Sequence, residues 1–201
     1  MKKIFLLLIF TVVACKAQTS TVYSLQNYDF GSNLPNGAYV KDTYNDFNKF
    51  EGTWKYQIAN QVFILKLRKK VRFYDNMDNI YIDLLAGEYQ YFLNNIEVIN
   101  TLANLSNDSD VYSNNISGHS FIPNANFPSC GDCNPTERRV KLSFSDPDRP
   151  WVMAYIVLRY LNSNGVEKID ATIYYTSTVV PDDGTPTTLR VPVGNFVFVK
   201  Q

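Results

Sequence analysis

Histidine, tryptophan and cysteine are scarce in this chain, and their scarcity limits the chemistry it can perform. The 201 residues include one histidine, two tryptophans and three cysteines. A Ser-His-Asp or Cys-His centre would have to use His119. That residue stands in Ser117-Gly118-His119-Ser120 with no positioned acid beside it. We expect His119 to be an ordinary loop residue and the protein to have no catalytic residues.

Charge of one sign is also lacking. The chain carries 19 basic and 19 acidic residues, a formal net charge of +0. No excess of positive charge favours nucleic acid or an anionic membrane surface as a partner. The sequence has no Gly-rich phosphate loop, and the basic run from Lys66 to Lys70 follows a predicted strand. We interpret that run as a solvated face.

A long apolar run occurs at the N-terminus, from Ile4 to Ala14, and it is too short to span a bilayer as a stable helix. It follows the charged segment Met1-Lys2-Lys3. This order is typical of an export signal, so we predict a signal peptide over residues 1–17. The mature protein is then expected outside the cytoplasm.

Two ways of processing this signal remain open. Cys15-Lys16-Ala17 before Gln18 fits cleavage by ordinary signal peptidase, which would release a secreted protein. Val12-Val13-Ala14-Cys15 resembles a bacterial lipobox, in which Cys15 is lipidated. The lipobox favours a lipoprotein of the periplasm or outer membrane that contacts the membrane by its lipid anchor only.

The two remaining cysteines, Cys130 and Cys133, are expected to form a disulfide because an exported protein meets an oxidising compartment. A redox C-x-x-C pair usually opens a helix after a strand, and the flanks Pro128-Ser129 and Asn134-Pro135 show no helical pattern. Zinc would need His119 as a further ligand, and export favours the disulfide instead. We expect no metal and no cofactor.

Apolar residues alternate with polar residues over most of the chain, and this periodicity of two predicts β-strands. The segment from Phe50 to Leu102 contains four such runs, and Asn94-Asn95 supplies a turn before the last. Gly87 in the third run predicts a bulge or sharp bend. The predicted strands are Trp54–Ala59, Phe63–Val71, Ile80–Leu93 and Ile96–Leu102.

Strand patterns resume after a polar, turn-prone stretch over residues 103–136, which we expect to be a long loop and the first place to look for binding. The run from Trp151 to Leu161 is apolar on both faces, which predicts cover on both sides. Asn162-Ser163-Asn164-Gly165 predicts a hairpin. The later predicted strands are Arg139–Phe144, Trp151–Leu161, Glu167–Tyr175 and Asn195–Lys200.

These patterns predict an all-β fold, an antiparallel meander that closes into a lipocalin-like barrel of about eight to ten strands. A two-sheet β-sandwich is the alternative. Residues 18–48 are expected to be a lead-in segment, with a short strand near Ala38–Val40 and a helical turn within Thr43–Lys49. Residues 49–201 form the single barrel domain. Six aromatic residues are expected to face the interior and any ligand there: Trp54, Tyr56, Tyr89, Tyr91, Trp151 and Tyr155.

The head of the first strand, Gly52-Thr53-Trp54, resembles the G-x-W opening of lipocalins and the G-T-W opening of avidins. In lipocalins this tryptophan packs at the closed end of the barrel, near a basic residue beside the last strand. The resemblance implies that Arg190 or Lys200 fills that place here. Avidin-type biotin sites need several tryptophans, and only Trp54 and Trp151 exist in this chain.

Nearly the whole chain also resembles an uncharacterised family of small exported proteins from Bacteroidota. The resemblance implies an exported β-protein of unknown function and contributes no catalytic residues. The residues that carry it are Lys16-Ala17-Gln18, Phe50 to Trp54, Asp83 to Tyr91, Ile99 to Leu102 and Phe196 to Phe198.

Three functions fit these expectations. The first is an exported, non-enzymatic cell-envelope barrel, monomeric, that binds a small apolar ligand or a protein partner. The second is a structural or interaction lipoprotein with a filled core, whose long loop contacts another envelope protein. The third is a hydrolase with a hidden carboxylate pair, for which the candidates are Asp146 with Asp148, Asp182 with Asp183, and Glu88. An interior cavity would favour ligand binding, and a solid interior favours the second function.

Overall fold

The computed structural model describes residues 21–28, 33–106, 110–178 and 184–201, and all structural statements below concern those residues. The predicted signal segment 1–17, with Cys15, lies outside them. The strands are β1 Val22–Ser24, β2 Tyr39–Lys41, β3 Gly52–Ile58, β4 Gln61–Asp75, β5 Ile80–Leu93, β6 Ile96–Asn100, β7 Ile116–Ile122, β8 Arg139–Phe144, β9 Val152–Ser163, β10 Val166–Thr178 and β11 Gly194–Lys200. The short 3₁₀ helices are Leu25–Asn27, Asp46–Phe50, Leu102–Ser106 and Val111–Ser113. No helix within these ranges has the length and apolar character that crossing a membrane requires.

Eight of the strands form a closed antiparallel barrel. Their order around it is β5-β4-β3-β11-β10-β9-β8-β7, and β7 pairs with β5 to complete the circle. β11 joins β3 where Lys200 lies opposite Trp54, and the amide of Gln201 donates to the carbonyl of Thr53 at 2.9 Å. The predicted meander barrel is confirmed. The alternative of a two-sheet sandwich is wrong, because one continuous sheet closes on itself.

Strand β5 is shared by the barrel and the strands outside it. One of its edges pairs with β4. The other edge pairs in turn with β6 near Tyr91, with β7 at Leu85–Gly87 and, in parallel, with β2 near Tyr81. This crowded position buries every residue from Ile82 to Tyr89. The predicted short strand of the lead-in segment is β2, and β1 extends the sheet beside it in parallel.

Aromatic side chains fill the barrel interior. The ring of Phe63 lies 5.9 Å from that of Tyr89, 5.7 Å from Tyr91 and 5.2 Å from Phe198, measured between centroids. Tyr89 in turn stacks on Phe144 at 4.7 Å. All five rings are buried. Because protein interiors pack as densely as organic crystals, these side chains occupy the space that a ligand would need.

The 3₁₀ helix Asp46–Phe50 caps the end of the barrel at which β3 begins. Trp54 Nε1 donates to the carbonyl of Phe50 at 2.8 Å. Lys200 Nζ lies 5.3 Å from the centroid of the Trp54 ring, within the range of a cation–π contact. Of the two basic residues considered for this place, Lys200 occupies it and Arg190 does not.

Residues 103–136 are not one long loop, and this prediction is wrong. The segment contains barrel strand β7 and the 3₁₀ helix Val111–Ser113. The sequence does not reveal β7 because Ser117-Gly118-His119-Ser120 interrupts the apolar alternation, and the register shifts between Ser117 and Ser120. His119 is therefore a strand residue. A continuous stretch of turns and coil runs from Pro123 to Arg138.

Two details of β4 and β5 also differ from the predicted pattern. Gly87 makes no bulge but lies in regular register opposite Leu67. A Cβ at position 87 would meet Leu67 Cδ2 at 2.5 Å, so close packing requires glycine there. The irregularity lies in β4 instead, where Arg72 has a φ of +55°. Val71, in this irregular stretch, is exposed.

Candidate functional site

The coil between β7 and β8, from Pro123 to Arg138, is held in one conformation by its own bonds, and we call it the stapled loop. Cys130 and Cys133 form a disulfide, which confirms the predicted pairing. The amide of Cys130 donates to the carbonyl of Asn124 at 2.9 Å. The side chain of Asn124 donates to the carbonyl of Asn134 at the same distance. These bonds cross-link both halves of the loop.

Arg139 anchors the stapled loop from the first position of β8. The residue is 3 % exposed. Its guanidinium donates to the carbonyls of Pro123 at 2.8 Å and of Asn126 at 3.3 Å, and also to that of Pro128. A buried guanidinium offers several donors in a rigid fork, so one side chain satisfies backbone acceptors that coil would leave unpaired.

Arg159 of β9 fastens the other side of the stapled loop to the outer face of the barrel. Its Nε donates to Glu137 Oε1 at 2.6 Å, and its Nη1 donates to Asp132 Oδ2 at 2.9 Å. The hydrogen bond from Arg159 lowers the pKa of Asp132, and the bonds to Glu137 and Asp132 raise the pKa of Arg159. The carboxylate of Asp132 is thus held in its charged form.

A cavity of about 180 Å³ lies between the stapled loop and the outer face of β9, β10 and β11, and we call it the loop pocket. The loop supplies one wall, from Pro128 to Asp132. The sheet supplies Arg139, Val157, Arg159, Asp170, Thr172 and Asn195. Burial raises the pKa of Asp170, and the charge of Arg159 opposes this shift only in part. Within the described residues, no hydrogen bond or ion pair reaches the carboxylate of Asp170.

An apolar area adjoins the loop pocket along β9 and β10, and we call it the aromatic patch. Phe127 of the stapled loop is 68 % exposed, and its ring meets that of Tyr174 edge-on at 4.9 Å. Tyr174 in turn lies 6.0 Å from Tyr155, and Lys141 Nζ lies 4.7 Å from the Tyr155 centroid. Exposed Met153 completes the patch. The outer face of β9 is therefore covered only in part.

A second cavity, of about 720 Å³, lies between the 3₁₀ helix Leu102–Ser106 and the outer side of β3 and β4. We call it the side groove. Leu67, Leu102 and Leu105 give it apolar walls, and its charged lining residues are Glu51, Lys66 and Arg68. Its volume and apolar lining fall within the range of sites for small molecules, roughly 300–1,000 Å³.

The six aromatic residues expected to face the interior lie in three different places. Trp54, Tyr89 and Tyr91 are buried in the core, and Tyr56 packs there against Phe196 at 5.1 Å. Trp151 precedes β9, packs against the edge of the core, and donates from Nε1 to the carbonyl of Pro186 at 2.8 Å. Tyr155 lies on the outer face, because its neighbours Ala154 and Ile156 point inward.

The carboxylates considered for hydrolysis are engaged in structural bonds. Asp146 and Asp148 both pair with Arg190, the second with 2.6 Å between Oδ2 and Nη1. Glu88 is fully buried outside the barrel, where its Oε2 accepts from the side-chain amide of Asn115 at 2.7 Å. Burial raises the pKa of Glu88. Asp182 and Asp183 lie outside the described residues.

His119 lies on β7, where burial lowers its pKa to about 4. Within the described ranges, the group of three metal-ligand types close enough to share an ion is Cys130, Asp132 and Cys133. His119 is not part of it. The two sulfur atoms are bonded to each other, so they are unavailable as thiolate ligands.

Comparison with known proteins assigns the chain to a family. It belongs to a family of unknown function, DUF6705, whose pattern matches residues 1–201. The predicted membership of an uncharacterised family is thereby confirmed. Searches among curated proteins and among solved structures gave no match. The function must therefore be inferred from the geometry of the barrel and its outer face.

Proposed function

We propose that this member of the DUF6705 family is an exported, non-enzymatic protein of a Bacteroidota cell envelope that binds a protein partner through the outer face of β8 to β11. One observation carries the proposal. The barrel interior is filled by its own aromatic rings, so binding has to take place on the outside. The aromatic patch and the stapled loop provide the surface for it.

The rigidity of the stapled loop supports this role. Its disulfide, the anchor of Arg139 and the ion pairs of Arg159 fix the loop without a partner present. A surface that is already ordered loses little conformational entropy on binding. Aromatic residues at the surface, such as the exposed Phe127 and the partly buried Tyr174, are the kind that dominate protein interfaces.

The signal-like N-terminus supports export, and a disulfide between Cys130 and Cys133 fits an oxidising compartment. Lipidation at Cys15 would hold the protein at a membrane as a monomer while leaving the barrel free. Cleavage after Ala17 would release it. Labelling of cells with a palmitate analogue, compared between the natural chain and Cys15→Ser, separates these outcomes, because only lipidation makes the label depend on Cys15.

Site-specific photo-crosslinking in the producing cells tests the partner. The photoreactive residue p-benzoylphenylalanine replaces Phe127 in one variant and Met77 in the other. Met77 is 86 % exposed on the β4–β5 turn, far along the chain from the patch. We expect one discrete adduct from position 127, and competition by added wild-type protein but not by Tyr174→Ala. Equal adducts from both positions, or none at 127, would overturn the proposal.

The side groove favours a second function, the binding of a small apolar ligand outside the barrel. Its three leucines and Lys66 match an apolar tail with an anionic head. Native mass spectrometry with laurate as the probe tests this function. We expect one bound laurate that is lost in Leu102→Glu and kept in Ile96→Glu, since Ile96 is exposed on β6. No binding at micromolar concentrations would exclude the function.

A further inference from the structure

Two guanidinium groups and two carboxylates line the loop pocket, those of Arg139, Arg159, Asp132 and Asp170. Arg139 directs its guanidinium to backbone carbonyls of the stapled loop. The guanidinium of Arg159 forms ion pairs with both Glu137 and Asp132. The carboxylate of Asp170 accepts no hydrogen bond from the described residues, and the positive charge that acts on it is that of Arg159, directly opposite on β9. A partly buried carboxylate without a hydrogen bond is costly, so this position favours a ligand that brings a positive charge.

The neighbours of Asp170 add oxygen acceptors to the same pocket. Side chains two residues apart on a strand share a face, so Asp170 and Thr172 both point outward from β10. Thr172 lies opposite Asn195 of β11, and its hydroxyl donates to Asn195 Oδ1 at 2.9 Å. The pocket floor therefore presents a carboxylate, a hydroxyl and an amide oxygen beside one another, which suits a group with several N–H donors.

The pocket is also small. At about 180 Å³ it is below the range of sites for drug-sized molecules, roughly 300–1,000 Å³, and is suited to the end of a single side chain. After Asp170 and Thr172, the next outward-facing residue of β10 is Tyr174, which belongs to the aromatic patch. A side chain that enters the pocket from the patch would lay its stem along Tyr174 and Phe127. Long aliphatic stems with a charged tip bind in this way.

We propose that the loop pocket binds the ammonium group of a lysine side chain from the protein partner, with Asp170 as its counter-ion. The proposal rests on the proposed function, because the patch beside the pocket is the surface on which that partner docks. Lysine fits better than arginine, since its compact ammonium donates in three directions to separate oxygens, whereas a planar guanidinium prefers two parallel acceptors.

Nuclear magnetic resonance of the uniformly ¹⁵N-labelled protein tests the chemistry of the pocket. The probes are Nα-acetyl-lysine methylamide and the uncharged Nα-acetyl-norleucine methylamide. We expect saturable shifts of the Gly131, Asp170 and Asn195 amide signals with the lysine probe and none with the norleucine probe. Saturable shifts elsewhere only, or equal shifts with both probes, would overturn the proposal.

Two variants identify the counter-ion. Asp170→Asn keeps the shape of the side chain. It should lower the affinity for the lysine probe by at least about tenfold, which is the loss expected for one hydrogen bond to a charged group. Asp78→Asn removes an exposed carboxylate of the β4–β5 turn and should leave the affinity unchanged. The same spectra report folding. If Asp170→Asn is not folded, Asn195→Ala takes its place, with a weakening of the same direction expected.

The results separate this inference from the proposed function. If position 127 gives a discrete crosslinked partner but Asp170→Asn leaves both the adduct and the lysine probe unaffected, the lysine proposal fails and the docking surface stands. If the lysine probe binds through Asp170 but position 127 gives no adduct, the docking proposal fails. Binding of Ca²⁺ in place of the lysine probe, with the same shifts, would contradict the lysine assignment.

Discussion

The two faces of strands β8 to β11 differ in composition and in what they can bind. The inner face presents residues such as Phe144, Ile156 and Phe198, which are buried in the barrel interior. The outer face presents Arg159 and Asp170, which lie directly opposite each other on β9 and β10. Because strand side chains alternate, one set of strands can stabilise the fold on one side and bind on the other. The comparison predicts that mutations on the two faces have different effects.

Phe63→Ala should have the largest effect, because it removes the ring at the centre of the filled interior. Loss of a buried phenylalanine costs about 3–5 kcal/mol of unfolding free energy. Ile58→Ala in the same hairpin is the control. Because Ile58 is 61 % exposed, this substitution should cost less than about 0.5 kcal/mol of unfolding free energy. Urea unfolding measures both. Similar losses for the two variants would show that the interior is not tightly packed.

Arg139→Met should have an intermediate effect. It leaves the carbonyls that anchor the stapled loop without their donor, and we expect a loss of about 2 kcal/mol together with faster proteolysis near Phe127. Its neighbour Arg138 pairs with Asp46 at 3.1 Å and is far more exposed, so Arg138→Met should cost under about 1 kcal/mol. Equal proteolysis of the two variants would mean that Arg139 does not hold the loop in place.

Asp170→Asn should have the smallest effect and the opposite sign. The raised pKa of Asp170 means that its charge opposes folding at neutral pH, and this penalty disappears as the pH falls below the unfolded pKa near 4. We expect Asp170→Asn to stabilise the protein by less than about 1 kcal/mol at pH 7 and to be neutral at pH 3. Urea unfolding at the two pH values measures this difference.

Asp146→Asn is the matched control for that prediction. Burial alone would raise the pKa of Asp146, but hydrogen bonds from Arg190 hold it below the usual value. Its stabilising contribution is present above the unfolded pKa and is lost as the pH falls through the folded pKa. Asp146→Asn should therefore destabilise the protein at pH 7. A loss of stability for Asp170→Asn at pH 7 would contradict the opposite roles of the two residues.

The alternation of side chains was sufficient to predict the class of fold and most of the strands. It was not sufficient where polar residues occupy a strand, as in β7, or where both faces are apolar, as in β9. Tyr155 illustrates the second case. Its own sequence neighbourhood gives no preference for one face, and only the register with β8 and β10 places it outside.

The loop pocket could not be predicted from the sequence for a similar reason. Asp170, Asn195 and Cys130 are far apart along the chain and meet only because β10 pairs with β11 and the stapled loop covers both. The cysteine spacing did indicate the disulfide, whereas a binding role for residues 103–136 stays a prediction. Neither could show which part of that region is a strand and which part covers a cavity.

The pairing of β5 has a consequence for the order of events in folding. Its amide and carbonyl groups between Leu85 and Gly87 are bonded on both edges, to β4 and to β7. Hydrogen exchange from such amides usually requires global opening, so this stretch should be among the last to exchange. β2, β6 and β7 can complete their pairing only once β5 is in place, which makes β5 a natural template for assembly of the sheet.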